Sequence, residues 1–188
     1  MTSRALLLLA TGAEEMEVAI AADVMRRAGI EVTVAGVDGA QPVRCSRGLL
    51  ITPDLDLNDA QGKYDALVLP GGAAGAGRLC ASAQVGKLLR EQEASGLLLA
   101  AICAAPSALK AHGVFAGKRM TIYPGMENEI VGHGQVEHDR VVIDGNLITS
   151  RGPGTAFEFA LAIVECLQGA KIAQQVEGPL LLGRRGDS

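Results

Sequence analysis

Cys103 stands at the junction of a predicted strand and a predicted helix, where a thiol could act as a nucleophile. Residues 97–102 are six consecutive apolar residues after Gly96, too few for a buried helix, and they predict a strand covered on both faces. Pro106 has no backbone N–H, so it suits the first turn of a helix. The N–H groups and the positive dipole end of that turn would favour the thiolate, which is the reactive form. The alternative is that Cys103 is a small buried hydrophobic residue, as free cysteines often are.

Two other predicted strands end in residues that could join Cys103. The first strand is followed by Glu14 and Glu17, and the third by Gly71 and Gly72. Because ligands bind outside the carboxyl ends of the strands in an open parallel sheet, we expect these residues to share one site. The two glycines lack side chains, so their N–H groups, with that of Ala104, could form an oxyanion hole. The alternative is that the glycines only end the strand.

Histidine is the usual base beside a cysteine nucleophile, but none of the three histidines is well placed. His112 lies nine residues beyond Cys103, about 13 Å along the same predicted helix. His133 and His138 fall in a polar region that we expect to be a solvated loop. The sequence therefore encodes no evident Cys–His dyad.

Glu17 is the carboxyl group best placed to take the role of proton partner. It follows Met16 on a helix face that could turn over the sheet rather than to water. A glutamate held against a cysteine must share a proton with it or repel it, so their titrations would be coupled. A protonated Glu17 could donate a hydrogen bond to the thiolate or to an oxidised sulfur. For Glu14, a role in the site and simple complementation of the helix dipole both stay open, and for Glu15 we favour the dipole.

The elements that must position these residues alternate in type. A strand, a helix and a strand within about the first 36 residues form a βαβ unit, which requires a parallel sheet. We expect a small antiparallel excursion within 36–53 and a hairpin around the turn 144–146. The predicted strands are 5–9, 30–35, 66–69, 97–102, 120–123, 141–143 and 147–149, and the predicted helices are 14–28, 84–94, one from 106, 155–169 and 170–182. This order predicts a doubly wound α/β sandwich with a mostly parallel central sheet.

The helix predicted over 155–169 carries two local expectations. Thr155 and Glu158 have the spacing of a capping box. Phe157, Leu161 and Val164 begin an apolar stripe that continues to Cys166 and the next residue, so Cys166 is most simply a core residue.

Length and composition indicate one domain over 1–188, with 183–188 as a disordered tail. A formal net charge of −4 and 3% aromatic residues argue against nucleic-acid binding and against attraction to anionic membranes. The four cysteines form no C-x-x-C pair, so neither a zinc site nor a dithiol motif is expected. No apolar run approaches the length of a signal-peptide core or a membrane span, which favours reduced thiols in the cytosol.

Six motifs in order resemble the animal-type members of the DJ-1/PfpI superfamily, and the resemblance covers residues 4–182. The motifs are Gly12-Ala13-Glu14-Glu15-Met16-Glu17, Asp23-Val24-Met25-Arg26-Arg27-Ala28-Gly29, Cys45-Ser46-Arg47, Leu69-Pro70-Gly71-Gly72, Ala101-Ile102-Cys103-Ala104-Ala105-Pro106 and Thr149-Ser150-Arg151-Gly152-Pro153-Gly154-Thr155.

The resemblance implies a flavodoxin-like (Rossmann-like) homodimer without a cofactor or metal, with the strand–Cys–helix turn as a nucleophile elbow. Cys103 would be the oxidisable nucleophile, Glu17 its protonated partner, and Gly72 and Ala104 the oxyanion donors. Members of this type are described as protein and nucleotide deglycases and glutathione-independent glyoxalases that act on methylglyoxal and glyoxal adducts. They are also described as oxidative-stress sensors and redox-dependent chaperones, in the cytoplasm and also in the nucleus and mitochondrion.

The resemblance also implies residues that line the site. Arg27 and Arg47 would lie by the dimer interface near the cysteine, and Pro153 would reach the partner's site. Tyr123 stands where close relatives carry a histidine, which puts a histidine proton relay in doubt.

Two further positions depart from close relatives, and one differs from the protease members of the superfamily. Thr52 replaces a second reactive cysteine at the dimer interface, so redox chemistry is not expected there, and Ala105 replaces a glycine. Protease members place a histidine directly after the nucleophile, where this chain has Ala104, and this argues against peptidase activity.

Three hypotheses about function remain. In the first, Cys103 attacks a carbonyl-derived carbon, with Gly72 and Ala104 stabilising the oxyanion, Glu17 shuttling the proton and Glu14 assisting. In the second, the Cys103 thiolate is a sensor that oxidises to a sulfinate. In the third, the protein is a non-enzymatic chaperone, which the loss of Cys103 would leave intact.

Overall fold

A seven-stranded sheet forms the middle of the molecule in a computed structural model that describes residues 2–182. The strand order is β10-β11-β7-β6-β1-β2-β5. All neighbours run parallel except β10, which pairs antiparallel with β11. The strands of this sheet are β1 (Arg4–Leu9), β2 (Glu31–Gly36), β5 (Leu55–Asp56), β6 (Ala66–Leu69), β7 (Leu98–Ile102), β10 (Val141–Asp144) and β11 (Leu147–Ser150).

Helices cover both faces of the sheet, which is why its central strands are apolar throughout. The helices are α1 (Glu15–Arg27), α2 (Ala73–Ala81), α3 (Ala83–Ala94), α4 (Ser107–His112), α5 (Ala156–Gln168) and α6 (Ala170–Leu180). Within β1, Leu7 and Leu9 pack into a core with α1, α5 and α6, whereas Leu6 and Leu8 pack into a second core with α2, α3 and α4. The doubly wound α/β sandwich predicted from the sequence is therefore confirmed.

Two small pairs of strands lie outside the main sheet. The hairpin of β3 (Val43–Arg44) and β4 (Leu50–Ile51) is the antiparallel excursion expected between 36 and 53. The other pair, β8 (Arg119–Met120) and β9 (Gln135–Val136), is parallel, and β8 is shorter than the strand predicted over 120–123. Among residues 2–182, no helix combines the length and the apolar character that crossing a membrane requires.

Several elements, among them β9, α2 and β5, were not predicted from the sequence. The α2 helix follows Gly72 directly, and its sequence of alanine and glycine gives little apolar periodicity. The β5 strand has only two residues and pairs with the end of β2 at the edge of the sheet. The predicted tail, 183–188, lies outside the described residues.

Two local predictions on α5 are wrong. The side chain of Thr155 does not cap the helix, because its Oγ1 contacts Ser150 Oγ at 2.6 Å and accepts from the Gly152 N–H at 3.1 Å. Glu158 instead accepts hydrogen bonds from Arg140. Cys166 is exposed rather than buried. Its place in the core is taken by other residues of α5, namely Ala156, Phe159, Ala160, Ile163 and Val164.

Candidate active site

Cys103 occupies a sharp turn directly after β7, as the elbow requires. Its φ is 62°, a left-handed conformation that residues other than glycine seldom adopt. Hydrogen bonds hold the backbone on both sides, since the Cys103 N–H donates to the Ser150 carbonyl at 2.9 Å and its own carbonyl accepts from the Tyr123 N–H at 2.9 Å. The side chain is 8% exposed, so the sulfur is mostly buried but reaches the cleft described below. A strained, over-determined backbone of this kind is common at functional sites.

The electrostatics of Cys103 differ from the sequence expectation. Burial and the neighbouring Glu17 carboxylate raise the pKa of the thiol to about 12. The α4 helix begins only at Ser107, and the effect of a helix dipole is confined to the first turn. Burial and Glu17 therefore oppose the thiolate more strongly than the nearby helix end favours it, and the thiolate needs further support.

That support comes from two backbone N–H groups. Gly72 and Ala104 both direct hydrogen bonds to the Cys103 sulfur, and both lower the pKa of its thiol. Gly71, the third predicted donor, is used differently, because its N–H donates to Glu17 Oε2 at 2.7 Å. Gly72 and Ala104 thus direct their N–H groups to the sulfur, and Gly71 orients the carboxyl group of Glu17.

Glu17 is buried against Cys103, with 1% of its surface exposed. Burial raises the pKa of its carboxyl to about 7, against the lowering effect of hydrogen bonds from Gly71 and Cys103, while the charge of Glu14 raises it further. Its Oε1 is buried and takes no hydrogen bond from a nitrogen or oxygen donor of the described residues. Near neutral pH the acid therefore holds a proton for part of the time, next to the thiol.

Close packing of backbone on backbone fixes these groups. A Cβ atom on Gly71 would lie 2.5 Å from the Cβ of Cys103 and 2.8 Å from the Ile102 carbonyl oxygen. Gly72 has a φ of 87° and packs against the backbone of Gly12 and the following residues. The fold therefore requires glycine at both positions. A side chain at Gly71 would clash with its neighbours, and one at Gly72 would both clash and be strained by the positive φ.

The cysteine sulfur faces an open cleft of about 650 Å³. The cleft is lined by Thr11, Gly12, Glu14, Arg44, Cys45, Ser46, Arg47, Gly72, Ala73, Ala74, Arg78, Cys103, Ala104, Tyr123, Met126 and Pro153. Such a mixed lining, with a few polar groups around an apolar floor, suits a small polar substrate. Among residues 2–182, no group of three histidine, cysteine or acidic side chains is arranged to hold a metal ion.

Glu14 and Glu15 have different roles at the edge of this cleft. Glu14 lines it and accepts a hydrogen bond from the Ser46 hydroxyl at 2.7 Å. Glu15 accepts from the same hydroxyl at 2.9 Å and from the Arg47 N–H at 2.9 Å, so it fastens the β3–β4 turn to α1. Burial works to raise its pKa, but hydrogen bonds from its own backbone, Ser46 and Arg47 hold the pKa of Glu15 below its usual value. Glu15 therefore does more than complement the helix dipole.

The other predicted site residues divide into those that line the cleft and those that do not. Tyr123, Pro153 and Arg47 line it, and Pro153 does so within its own chain. Arg27 does not line it, because it lies in the last turn of α1, ten residues beyond Glu17, and pairs with Asp23 at 2.6 Å. Within its own chain Arg27 therefore lies away from the cleft, and its place by a dimer interface stays a prediction.

The histidines lie away from Cys103, as the sequence indicated, and none lines the cleft in the described part of the chain. His112 and His133 each contact a backbone carbonyl through Nε2, of Leu79 at 2.9 Å and of Val114 at 2.7 Å. His133 is therefore a structural residue rather than a solvated one, while His138 is exposed.

Sequence reasoning assigned no role to several residues of the cleft. Ser46 was part of a recognised motif, but only the fold shows that its hydroxyl bridges two carboxylates. Arg44 and Arg78 lie on elements far apart in sequence. In the sequence, only their positive charge in an acidic protein could have pointed to a place in the site.

Comparisons with known proteins agree with this geometry. A model of the DJ-1/PfpI family matches residues 3–166. The chain is 55% identical over 183 residues to the Parkinson disease protein 7 homolog of Danio rerio, covering 95% of this chain and 97% of that protein. It is 41% identical over 183 residues to a Caenorhabditis elegans protein named glutathione-independent glyoxalase DJR-1.2, covering 97% of each. The crystal structure of Drosophila melanogaster DJ-1beta matches with a TM-score of 0.95 and 54% identity, over 98% of this chain and all of that one.

Proposed function

Because the chain belongs to the DJ-1/PfpI family, we propose that it is a cysteine-dependent, glutathione-independent glyoxalase that also acts as a deglycase. Its substrates would be methylglyoxal, glyoxal and their adducts on proteins and nucleotides. A homologue named as a glyoxalase supports enzymatic activity in the family. The observation that carries the proposal is the convergence of Glu17, Gly72 and Ala104 on the sulfur of Cys103 at the floor of an open cleft.

The nucleophile forms from the Glu17–Cys103 pair rather than from the thiol alone. With Glu17 ionised, its charge helps to raise the pKa of the thiol to about 12. When Glu17 carries a proton instead, that charge is gone and the N–H groups of Gly72 and Ala104 stabilise the thiolate. The pair thus exchanges one proton between a carboxylate–thiol form and a carboxyl–thiolate form, and it titrates as a unit.

The thiolate then adds to the aldehyde carbon of methylglyoxal. A C–S bond forms while the electron pair of the carbonyl moves to oxygen, and Gly72 and Ala104 lie beside the sulfur where they can donate to that oxygen. Glu17 gives its proton to the oxyanion, which leaves a hemithioacetal and a carboxylate.

Glu17, assisted by Glu14, next moves a proton from this carbon to the neighbouring carbonyl carbon. The hydroxyl proton passes to the oxygen of that carbonyl at the same time, so the hemithioacetal becomes a lactoyl thioester. Water cleaves the thioester and restores the thiol, so methylglyoxal and water give lactate without an oxidant or reductant. In a protein or nucleotide adduct, the nitrogen or sulfur bonded to the same carbon leaves when Cys103 replaces it.

Lactate production from methylglyoxal tests this function. We expect Cys103→Ala to abolish it and Glu17→Gln to reduce the rate by about 10²- to 10⁴-fold, the usual worth of a positioned proton donor. Cys166→Ala is the matched control, because that thiol is exposed and lies outside the cleft. Undiminished lactate production by Cys103→Ala would reject the mechanism.

A second candidate function is sensing of oxidants by the same sulfur. A sulfinate at Cys103 would accept hydrogen bonds from Gly72 and Ala104, and from Glu17 while that carboxyl is protonated. Peroxide titration followed by mass spectrometry should show two oxygens on Cys103 before any are added to Cys45, Cys80 or Cys166. Glu17→Gln keeps a donor and should preserve this product, whereas Glu17→Ala should not. Oxidation of the other thiols first would contradict the sensor function.

We also propose that the protein is a homodimer. Met16, Leu49 and Leu50 are between 52% and 61% exposed, and the turn beside Leu49 is fastened to α1 by Glu15. An exposed apolar cluster of this kind commonly marks a protein interface. Light scattering should give a dimer that Leu50→Glu dissociates, while Ile143→Glu, at an exposed residue of β10, leaves it intact. The four free cysteines support a reducing compartment such as the cytoplasm.

A further inference from the structure

Three arginines surround the mouth of the cleft above Cys103. Arg44, Arg47 and Arg78 all line it and all are exposed, and we call them the arginine rim. The protein as a whole carries a net charge of −4, so this cluster of positive charge is opposite in sign to the net charge of the protein.

Hydrogen bonds place two of these arginines on either side of the loop between β1 and α1. The Arg44 carbonyl accepts from the Gly12 N–H at 2.9 Å, which places Arg44 next to the loop between β1 and α1. On the other side, Arg78 Nη1 donates to Asp38 Oδ1 at 3.3 Å, and Asp38 Oδ2 accepts from the Thr11 N–H at 3.0 Å. Asp38 therefore orients Arg78 toward the same opening.

The third arginine, Arg47, lies in the β3–β4 turn. The backbone N–H of Arg47 donates to Glu15 at 2.9 Å, which fixes the turn, and the guanidinium group takes no part in that hydrogen bond. The Arg44 guanidinium also lies along this turn, since its Nη2 would be 3.7 Å from a Cβ on Gly48. The positive groups of Arg44 and Arg47 thus project from one short hairpin.

Negative charge does not cancel the rim. Within residues 2–182, neither Arg44 nor Arg47 forms an ion pair, and only Arg78 has a carboxylate partner. The acidic groups of the site, Glu14 in the cleft lining and Glu17 beside Cys103, are buried, with 7% and 1% of their surfaces exposed. The exposed charge around the cleft is therefore mainly that of the arginines.

From this arrangement we infer that the arginine rim selects electrophilic substrates that carry a carboxylate or phosphate near the carbonyl. A guanidinium group presents a planar fork of N–H donors that matches both anions. The carbonyl end of such a substrate would reach Cys103 while its anion stays at the mouth. The inference deepens the proposed function, because it names the class of adduct that the same cysteine would meet, and it disfavours substrates that keep a positive charge there.

Alkylation of Cys103 by a matched pair of reagents tests the inference without requiring turnover. Iodoacetate and iodoacetamide differ by one carboxylate, and with either one the thiolate displaces iodide and forms a thioether. The rate of alkylation by iodoacetate divided by the rate with iodoacetamide does not depend on the reactivity of the thiolate. Dividing this ratio by the same ratio for a free thiol in the same buffer removes the intrinsic difference between the reagents. We expect this normalised ratio, followed by mass spectrometry of Cys103, to exceed 1 and to fall toward 1 as salt is added.

Charge variants give effects of opposite sign. Arg44→Gln and Arg78→Gln should each lower the normalised ratio about threefold, and together about tenfold, the scale of partly exposed charge interactions. Asp38→Asn keeps an oxygen for the Thr11 N–H but removes the charge that offsets Arg78, so it should raise the ratio. Arg90→Gln is the matched control, because Arg90 is exposed on α3 and does not line the cleft.

Several outcomes would overturn the inference. These are a normalised ratio of 1 or less in the wild type, an equal loss in Arg90→Gln, or no reaction of Cys103 with either reagent. The source of the anion is resolved by adding inorganic phosphate or acetate as competitors, and whichever slows iodoacetate more is the preferred group. Failure of lactate production with a ratio that behaves as expected would reject the glyoxalase function and leave the selectivity for anions standing.

Discussion

Replacing Glu17 by glutamine should change how the stability of the protein depends on pH. In the folded protein, burial raises the pKa of this carboxyl from 4.5 to about 7. The folded state therefore binds the proton more tightly than the unfolded chain does. The stability that this provides is complete below pH 4.5 and is lost as the pH rises through 7. At about 1.4 kcal/mol per pKa unit, the loss amounts to about 3 kcal/mol.

Glutamine removes this dependence while keeping the shape of the side chain. Its amide oxygen can still accept the Gly71 N–H that now lies 2.7 Å from Glu17. We expect the free energy of unfolding of Glu17→Gln, relative to wild type, to rise by about 3 kcal/mol between pH 4 and pH 8. Urea denaturation at a fixed protein concentration measures it, with both proteins in a Cys103→Ala background so that the thiol does not titrate.

Glu15→Gln is a control of opposite sign. Its hydrogen bonds hold the pKa of Glu15 below the usual value, so the stability it provides is present at neutral pH and is lost on acidification. The cost of Glu15→Gln should therefore be largest at neutral pH and shrink in acid. A difference between Glu17→Gln and wild type that is constant with pH, or that falls as the pH rises, would refute the assignment of a raised pKa to Glu17.

Two more predictions concern the same elbow. The rate of Cys103 alkylation by iodoacetamide should rise with pH through a midpoint near 7, where the Glu17–Cys103 pair loses its first proton. Glu17→Gln should remove that midpoint. A pH profile with the same midpoint in the variant would contradict the coupling of the two groups. Gly71→Ala should lower the thermal midpoint of unfolding strongly, because the new Cβ would lie 2.5 Å from that of Cys103. Gly77→Ala, at an unobstructed site in α2, should instead raise the free energy of unfolding by about 0.5–1 kcal/mol. Equal effects of the two substitutions would show that contact at the elbow is unimportant.

The elements that the sequence predicts well are those whose burial it records directly. Residues 97–102 and 66–69 are continuous apolar runs, and both are central strands because helices cover both faces of the sheet. The helix α2 could not be found in this way, because two of the three residues on its buried face, Gly75 and Ala76, are too small to stand out as an apolar stripe with Leu79. Cys166 was misplaced because it lies two residues, or about 200° around the helix, from the buried Val164 and so faces away from the core.

The site shows a similar limit. Local sequence places Cys103 at a turn and Glu17 on a neighbouring helix, and both are found together at one edge of the sheet. Burial, however, is a property of the whole fold, so the raised pKa of the thiol could not be deduced from the helix end alone. The same holds for Gly71, whose N–H could have served an oxyanion but instead donates to Glu17.

The close packing of backbone around Gly12 and Gly75 has a consequence for how such a protein can change. A Cβ on Gly12 would lie 2.6 Å from that of Ala74, and one on Gly75 would lie 2.8 Å from the Ala13 nitrogen, so neither the β1–α1 loop nor the first turn of α2 tolerates a larger residue there. The arginines at the opening sit on a surface hairpin and a helix flank that carry no such restriction. Evolution of new substrate preferences on this scaffold should therefore proceed by exchange of charges at the entrance, while the turns that hold the sulfur stay the same.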